Sequence, residues 1–189
     1  MRDTLIDAAL KVLEEDGDAA FSTRAVLAIA KVSAPTLYHH FGSADGILSA
    51  AMTEAFSQFL QSKKAAAQSA DPVVALREGW DDYVRFAAKR PRLYAAMMSR
   101  VLQGGRIPAA EEAFALLVAR LRSIEARGRL SMKVEVAADL MWASANAASL
   151  LHVTARLRNV PPPGQAVLRD LRERALQAIL SPKKRSRAR

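Results

Sequence analysis

Residues 23–41, reading TRAVLAIAKVSAPTLYHHF, constrain this chain most, because they break into two short helix-periodic runs around a polar joint. Val26, Leu27, Ile29 and Ala30 give the first run an apolar side, and Ser22 or Thr23 is placed to cap its free N–H groups. Ser33 starts the second run. Its hydroxyl can accept from a first-turn N–H, and Pro35 is tolerated there because those N–H groups have no intrahelical partner. Steps of about 100° per residue turn Leu37 and Phe41 inward, with Ala34 and His40 at the margins and Pro35, Thr36, Tyr38 and His39 outward. Two helices this short cannot bury a core alone. A helix over about 3–16, with Leu5, Ile6, Ala9, Leu10 and Leu13 on one face and Gly17 at its end, is therefore expected to back them, and Phe21 to plug the junction. The result is a three-helix helix-turn-helix head, an arrangement that lays its second short helix in a DNA major groove.

Thr36, Tyr38 and His39 are the candidates for reading base edges, since a threonine can donate, accept or touch a thymine methyl. Thr23, at a helix start, and Tyr38 also fit phosphate contacts that set register. His40 fits either the groove face or the edge of the buried arc. The formal net charge of +9 invites a nucleic-acid partner, but residues 1–64 carry six Lys/Arg against eight Asp/Glu. Five of the positive charges lie instead in the tail, at Lys183, Lys184, Arg185, Arg187 and Arg189. Phosphate attraction by the head is therefore modest, leaving more of any binding to geometry and base contacts. The tail reads either as a disordered solvated run or as an auxiliary DNA-tethering arm.

Thr23-Arg24, followed by Val32-Ser33-Ala34-Pro35-Thr36-Leu37-Tyr38-His39-His40-Phe41, resembles the DNA-binding head of tetracycline-repressor-like (TetR family) regulators. The resemblance is specific over about the first fifty residues and architectural beyond them. It implies DNA contact by Thr23, Arg24, Pro35, Thr36, Tyr38, His39 and His40. It also implies a double-stranded DNA operator, a small-molecule effector of unknown identity, a homodimer, and repression as the default sign. Two positions depart from the pattern: Lys31 stands at a turn position usually held by glycine, and Ala44 where a basic residue is common.

The remaining chain reads as helix throughout. Ser43 caps a stripe running from Ile47 through Phe56 to Leu60, long enough to act as a lever from head to body. Asp71-Pro72 opens a helix that stops at Arg90, Pro91 opens the next, and Gly104-Gly105 closes it. Helices are expected over about 108–127, 133–157 and 165–180, the last set off by Pro161-Pro162-Pro163-Gly164. No stretch alternates with period two. The expected fold is all-α, about nine helices: a DNA-binding head at 1–45, a ligand-binding and dimerisation body at 46–180, and a basic tail at 181–189. The two final helices carry more apolar surface than a small body needs, which suggests a four-helix dimer interface; the alternative is that both close the monomer core.

Trp80, Tyr83, Phe86, Tyr94, Met97, Met98, Phe114, Met141 and Trp142 gather in the middle helices, where ordinary core packing would account for them. The family resemblance instead implies a ligand cavity there, with Trp80, Tyr83, Tyr94, Met97, Met98, Phe114, Trp142 and Asn146 as its candidate residues. Asn146 suits a ligand or an interhelical hydrogen bond equally, and His152 is the other polar group on its helix.

No cofactor, metal or catalytic activity is expected. Three histidines, two of them adjacent, and no cysteine cannot supply a metal cluster. Asp139, Ser149 and His152 share one helix, with 139 and 149 about 15 Å apart along its axis, so they cannot converge as a triad. The absence of cysteine suits a reducing cytoplasm. With no secretory pattern and no apolar run near 20 residues, no membrane association is expected and a cytoplasmic location is. The reading is a ligand-responsive DNA-binding regulator. The alternative is a small-molecule-binding or helical interaction protein whose head does not read DNA specifically.

Overall fold

A computed structural model describes residues 1–17, 21–65 (side chains to 61) and 69–181, so the tail expectation for 183–189 lies outside the described residues. Nine helices form within them: α1 Arg2–Asp16, α2 Thr23–Ala30, α3 Ala34–Phe41, α4 Ala44–Ala65, α5 Pro72–Lys89, α6 Pro91–Leu102, α7 Pro108–Ala126, α8 Val134–Leu157 and α9 Gln165–Ile179. Among the described residues the only β contact is an isolated bridge between Leu130 and Leu180.

Local chemistry explains the boundaries. Ser22 Oγ accepts from the Ala25 N–H at 3.2 Å, Ser43 Oγ from Gly46 at 2.9 Å, and Asp71 Oδ1 from Val73 at 2.8 Å. Prolines stand in the first turns of α5, α6 and α7, where no amide donor is required. Gly42, at φ 72°, ends α3 and donates its N–H to Tyr38 O at 2.8 Å. Ser33 departs from expectation. Its side chain caps no backbone N–H; its hydroxyl pairs with Thr36 Oγ1 at 3.0 Å, while Thr36 N–H is satisfied by Ser33 O at 3.1 Å.

Two main apolar clusters result. One gathers α1, Val26, Leu37 and the inward side of α4, and extends to Phe86, Leu93 and Met97. Phe21 packs partly buried against it, as its junction position suggests. The other joins α5, α7, α8 and α9 around Leu76, Trp80, Leu121, Ile124, Met141 and Leu176. Phe56 packs α4 onto the body: its ring meets Phe86 at 5.4 Å and Tyr83 at 6.4 Å, both edge-on. Ile29, expected on the apolar side of α2, is 41% exposed, because α1 covers the helix over Val26 and leaves Ile29 facing out. No described helix is long and apolar enough to cross a membrane.

Candidate functional site

The turn between α2 and α3 is made by Lys31, whose φ of 55° places a lysine in the left-handed region where glycine is at ease. Leu37 anchors the short α3 with no exposed surface, and Phe41 packs partly buried beside it under Arg2, whose guanidinium stands 5.5 Å from the ring. Anchoring on that side turns the other outward. Pro35, Tyr38, His39 and His40 are exposed, Tyr38 by 47%, and the rings of His39 and His40 meet edge-on at 5.4 Å. Arg24 is exposed at the start of α2 beside half-buried Thr23. Thr36 is half-buried, and its hydroxyl is engaged by Ser33 rather than directed freely outward.

In the body a cavity of about 470 Å³ opens between α4, α5, α6, α7 and α8. That volume suits a small organic ligand, and the wall is mostly apolar and aromatic. Of the residues singled out from the sequence, Trp80, Tyr83, Met97, Met98, Phe114 and Trp142 line it. Tyr94 and Asn146 do not; they stand behind the wall in a hydrogen-bonded knot. Asn146 Oδ1 accepts from Tyr83 Oη at 3.0 Å and Tyr94 Oη at 2.7 Å, while its Nδ2 donates to Trp142 O at 2.8 Å. Asn146 thus takes the interhelical role. Burial pushes the Tyr83 and Tyr94 phenols above their ordinary value. Trp80 Nε1 donates to Ser144 Oγ at 2.9 Å, which passes the bond on to Met141 O. His152 is half-buried outside the cavity lining, and burial lowers its pKa.

Met141, named in the same aromatic and methionine set, lines it too, as do Phe56, Phe59, Gly79 and Arg120, which the sequence reading does not name as site residues. Two of them leave a trace in the sequence. Gly79 is an isolated glycine inside a helical pattern, and Arg120 stands at the margin of the stripe formed by Phe114, Leu117 and Leu121. Among the described residues there is no group of three or more side chains able to hold a metal ion.

Residues 5–51 match the family described as bacterial regulatory proteins, tetR family. Solved structures match over nearly the whole chain. A putative tetR family transcription regulator from Shewanella sp. PV-4 is 19% identical, with 96% of this chain and 98% of that one covered at a TM-score of 0.70. GusR of Salmonella enterica is 22% identical, with 93% of each chain covered and a TM-score of 0.68. A TetR transcription regulator from Haloarcula marismortui ATCC 43049 is 16% identical, covering 95% and 98% with a TM-score of 0.73. A comparison with curated proteins finds no match.

Proposed function

From a chain whose head belongs to the tetR family of bacterial regulatory proteins and whose fold is that of TetR-type transcription regulators, we infer a homodimeric, ligand-responsive repressor of transcription. The observation that carries this reading is α3. It is held by Leu37 at its core, entered through a left-handed turn, and presents Pro35, Tyr38, His39 and His40 to solvent on one exposed side. Such a helix fits a major groove, with Tyr38 and His39 at base edges or phosphates and Thr23 and Arg24 fixing register on the backbone. Thr36, with its hydroxyl shared with Ser33, is better placed to touch a thymine methyl than to donate freely.

Residues 1–45 act as the reading head and 46–180 as the effector and dimerisation body. Two heads related by a two-fold axis address an inverted repeat whose half-sites lie about 34–36 Å, or a multiple, apart. A small molecule in the cavity favours one spacing of the heads through α4, and it can do so only by binding one spacing better, by about 1–3 kcal/mol or more. The protein works without catalysis, in the cytoplasm.

The test is selection of the purified protein on random duplexes at about physiological salt, with Tyr38→Ala alongside. Enrichment of an inverted repeat that the variant loses is the expected outcome. Retention without sequence preference, collapsing as salt rises, would instead mark a head that does not read DNA specifically.

A further inference from the structure

The cavity wall contains three charged side chains, and two of them neutralise each other. Arg106 donates to Glu111 through Nε and Nη2, both at 2.6 Å. The neutral polar groups Trp80 Nε1 and Tyr83 Oη are likewise occupied, by Ser144 and Asn146. Arg120, on α7, makes no hydrogen bond or ion pair with any described residue, although it is half-buried. Burial depresses its pKa, against a longer-range pull from Asp82 and Glu78. Asp82 is already engaged by Arg85, and Glu78 is exposed to solvent. The protein has therefore set a guanidinium into an apolar wall and left its donors unanswered.

Gly79 shows that room has been made for it. A Cβ added at that position would come within 2.3 Å of Arg120 Nη1, so the guanidinium lies directly on the backbone of α5. A glycine inside a helix costs stability relative to alanine, and here its missing side chain is the space the cation occupies. An arginine fork is matched in shape by a carboxylate, which accepts two parallel hydrogen bonds. Only one cation lacks a partner among the described charged lining residues, and Asp82 and Glu78 oppose any second negative charge. The geometry suits one negative charge and an apolar body.

We propose that the cavity takes a monoanionic amphiphile, an aromatic or medium-chain carboxylate, with its carboxylate held by Arg120 and its body among Phe56, Phe59, Met97, Phe114 and Trp142. This rests on the reading of the cavity as an effector site and deepens it by naming the effector's class.

Both tryptophans of the chain line the cavity, so intrinsic fluorescence reports binding without any label or DNA. The full-length protein is titrated with octanoate and 4-phenylbutyrate, and with the uncharged octanamide and 4-phenylbutanamide. The carboxylates are expected to bind about tenfold or more tighter than their amides, the ratio a charge-assisted hydrogen bond provides. Arg120→Gln should abolish that preference, weakening the carboxylates by about tenfold or more relative to the amides. Gly79→Ala adds helix propensity, so it folds, and it should cut the preference by displacing the guanidinium without removing its charge. Equal binding of acid and amide by the unaltered protein overturns the proposal, as does a preference surviving both substitutions, or no binding by any of the four. The random-duplex selection separates this from the regulatory reading. A carboxylate that binds with the stated preference yet leaves duplex retention unchanged overturns the effector role and leaves the anion site standing.

Discussion

Arg100, in the last turn of α6, grips Asp45, in the first turn of α4, through two hydrogen bonds: Nη1 to Oδ1 at 2.6 Å and Nη2 to Oδ2 at 2.9 Å. Asp45 follows the end of α3 by four residues, and Val101, the neighbour of Arg100, lines the cavity. The clamp therefore joins the exit of α3, the proposed groove-facing helix, to the rim of the proposed effector site. Its other ground is Gly105, where a Cβ would come within 2.7 Å of Arg100 Cγ.

Breaking this clamp should uncouple more than it destabilises. Asp45 is well exposed, so solvent screening limits the stability at stake in Arg100→Met to about 1 kcal/mol or less. The hydrogen bond from Arg100 is the main reason the Asp45 carboxyl is held below its ordinary value. A depressed carboxyl contributes stability that is complete above its unfolded pKa and is lost as pH falls through the folded one. Thermal melts of the unaltered protein and of Arg100→Met should therefore differ at neutral pH and converge in the acid range below the ordinary carboxylate pKa. Duplex binding titrated with ligand should show a smaller ligand effect in the variant, with ligand affinity in the absence of DNA retained.

Asn146 offers a sharper stability test. Its single Oδ1 accepts from two phenols, Tyr83 on α5 and Tyr94 on α6. Asn146→Leu removes the acceptor both phenols share and leaves Tyr94 only Tyr83 and Ser149 beside it, at a cost of about 1–3 kcal/mol for each donor left unpaired. Denaturant unfolding should register a loss of about 2–4 kcal/mol. A loss under about 1 kcal/mol would mean that the two phenols find other acceptors.

The contrast between these two contacts and the helix caps explains what was legible in the sequence. Asp71-Pro72, Ser43 and the prolines at 91 and 108 announce helix starts through chemistry confined to one turn, and the structure has helices beginning there. The inward placement of Leu37 likewise follows from a 3.6-residue period alone. Asp45 and Arg100 are 55 positions apart, and nothing in either local pattern couples them. Arg120 reads locally as an ordinary surface arginine at the edge of a stripe. Only the packing of α7 on α5 at Gly79 turns it into a half-buried cation facing a cavity. Tyr94 was grouped with Met97 and Met98 by composition, yet its ring packs with Ala87 and Val153 and meets Tyr83 edge-on, behind the cavity wall.

Lys31 bears a backbone cost that can be recovered. A non-glycine residue in the left-handed region is disfavoured by about 1–2 kcal/mol, and glycine gives part of that back as greater chain entropy in the unfolded state. Lys31→Gly should therefore raise stability by about 0.5–1 kcal/mol, read as a melting temperature higher by about 2 °C. A fall instead would show that the lysine side chain makes a contact worth more than the strain of its backbone.

The proposed dimer can be tested on the outer face of α8. Val136, Leu140, Ala143, Ala147, Leu150, Thr154 and Leu157 recur every three or four residues, so they form one stripe along the helix, with Leu151 at its edge. Val136, Leu140, Leu150, Leu151 and Leu157 are each more than 40% exposed, whereas the opposite face buries Ala137, Ala138, Met141, Ala145 and Ala148 against the body. Ala137, Ala138, Ala145 and Ala148 thus serve packing within the protomer, whereas Ala143 and Ala147 lie among the larger aliphatic residues left outside. A second copy of the same helix across a two-fold axis would cover this stripe with like side chains, as the proposed dimer requires. Because these positions make little of the protomer's own core, Leu140→Glu combined with Leu150→Glu should leave helix content and cooperative unfolding intact. Sedimentation is expected to find a dimer for the unaltered protein and a monomer for the double variant, and retention on an inverted repeat should fall by orders of magnitude, since one head supplies only half the contacts. A double variant that remains dimeric would move the interface elsewhere and leave the α8 stripe for a different partner.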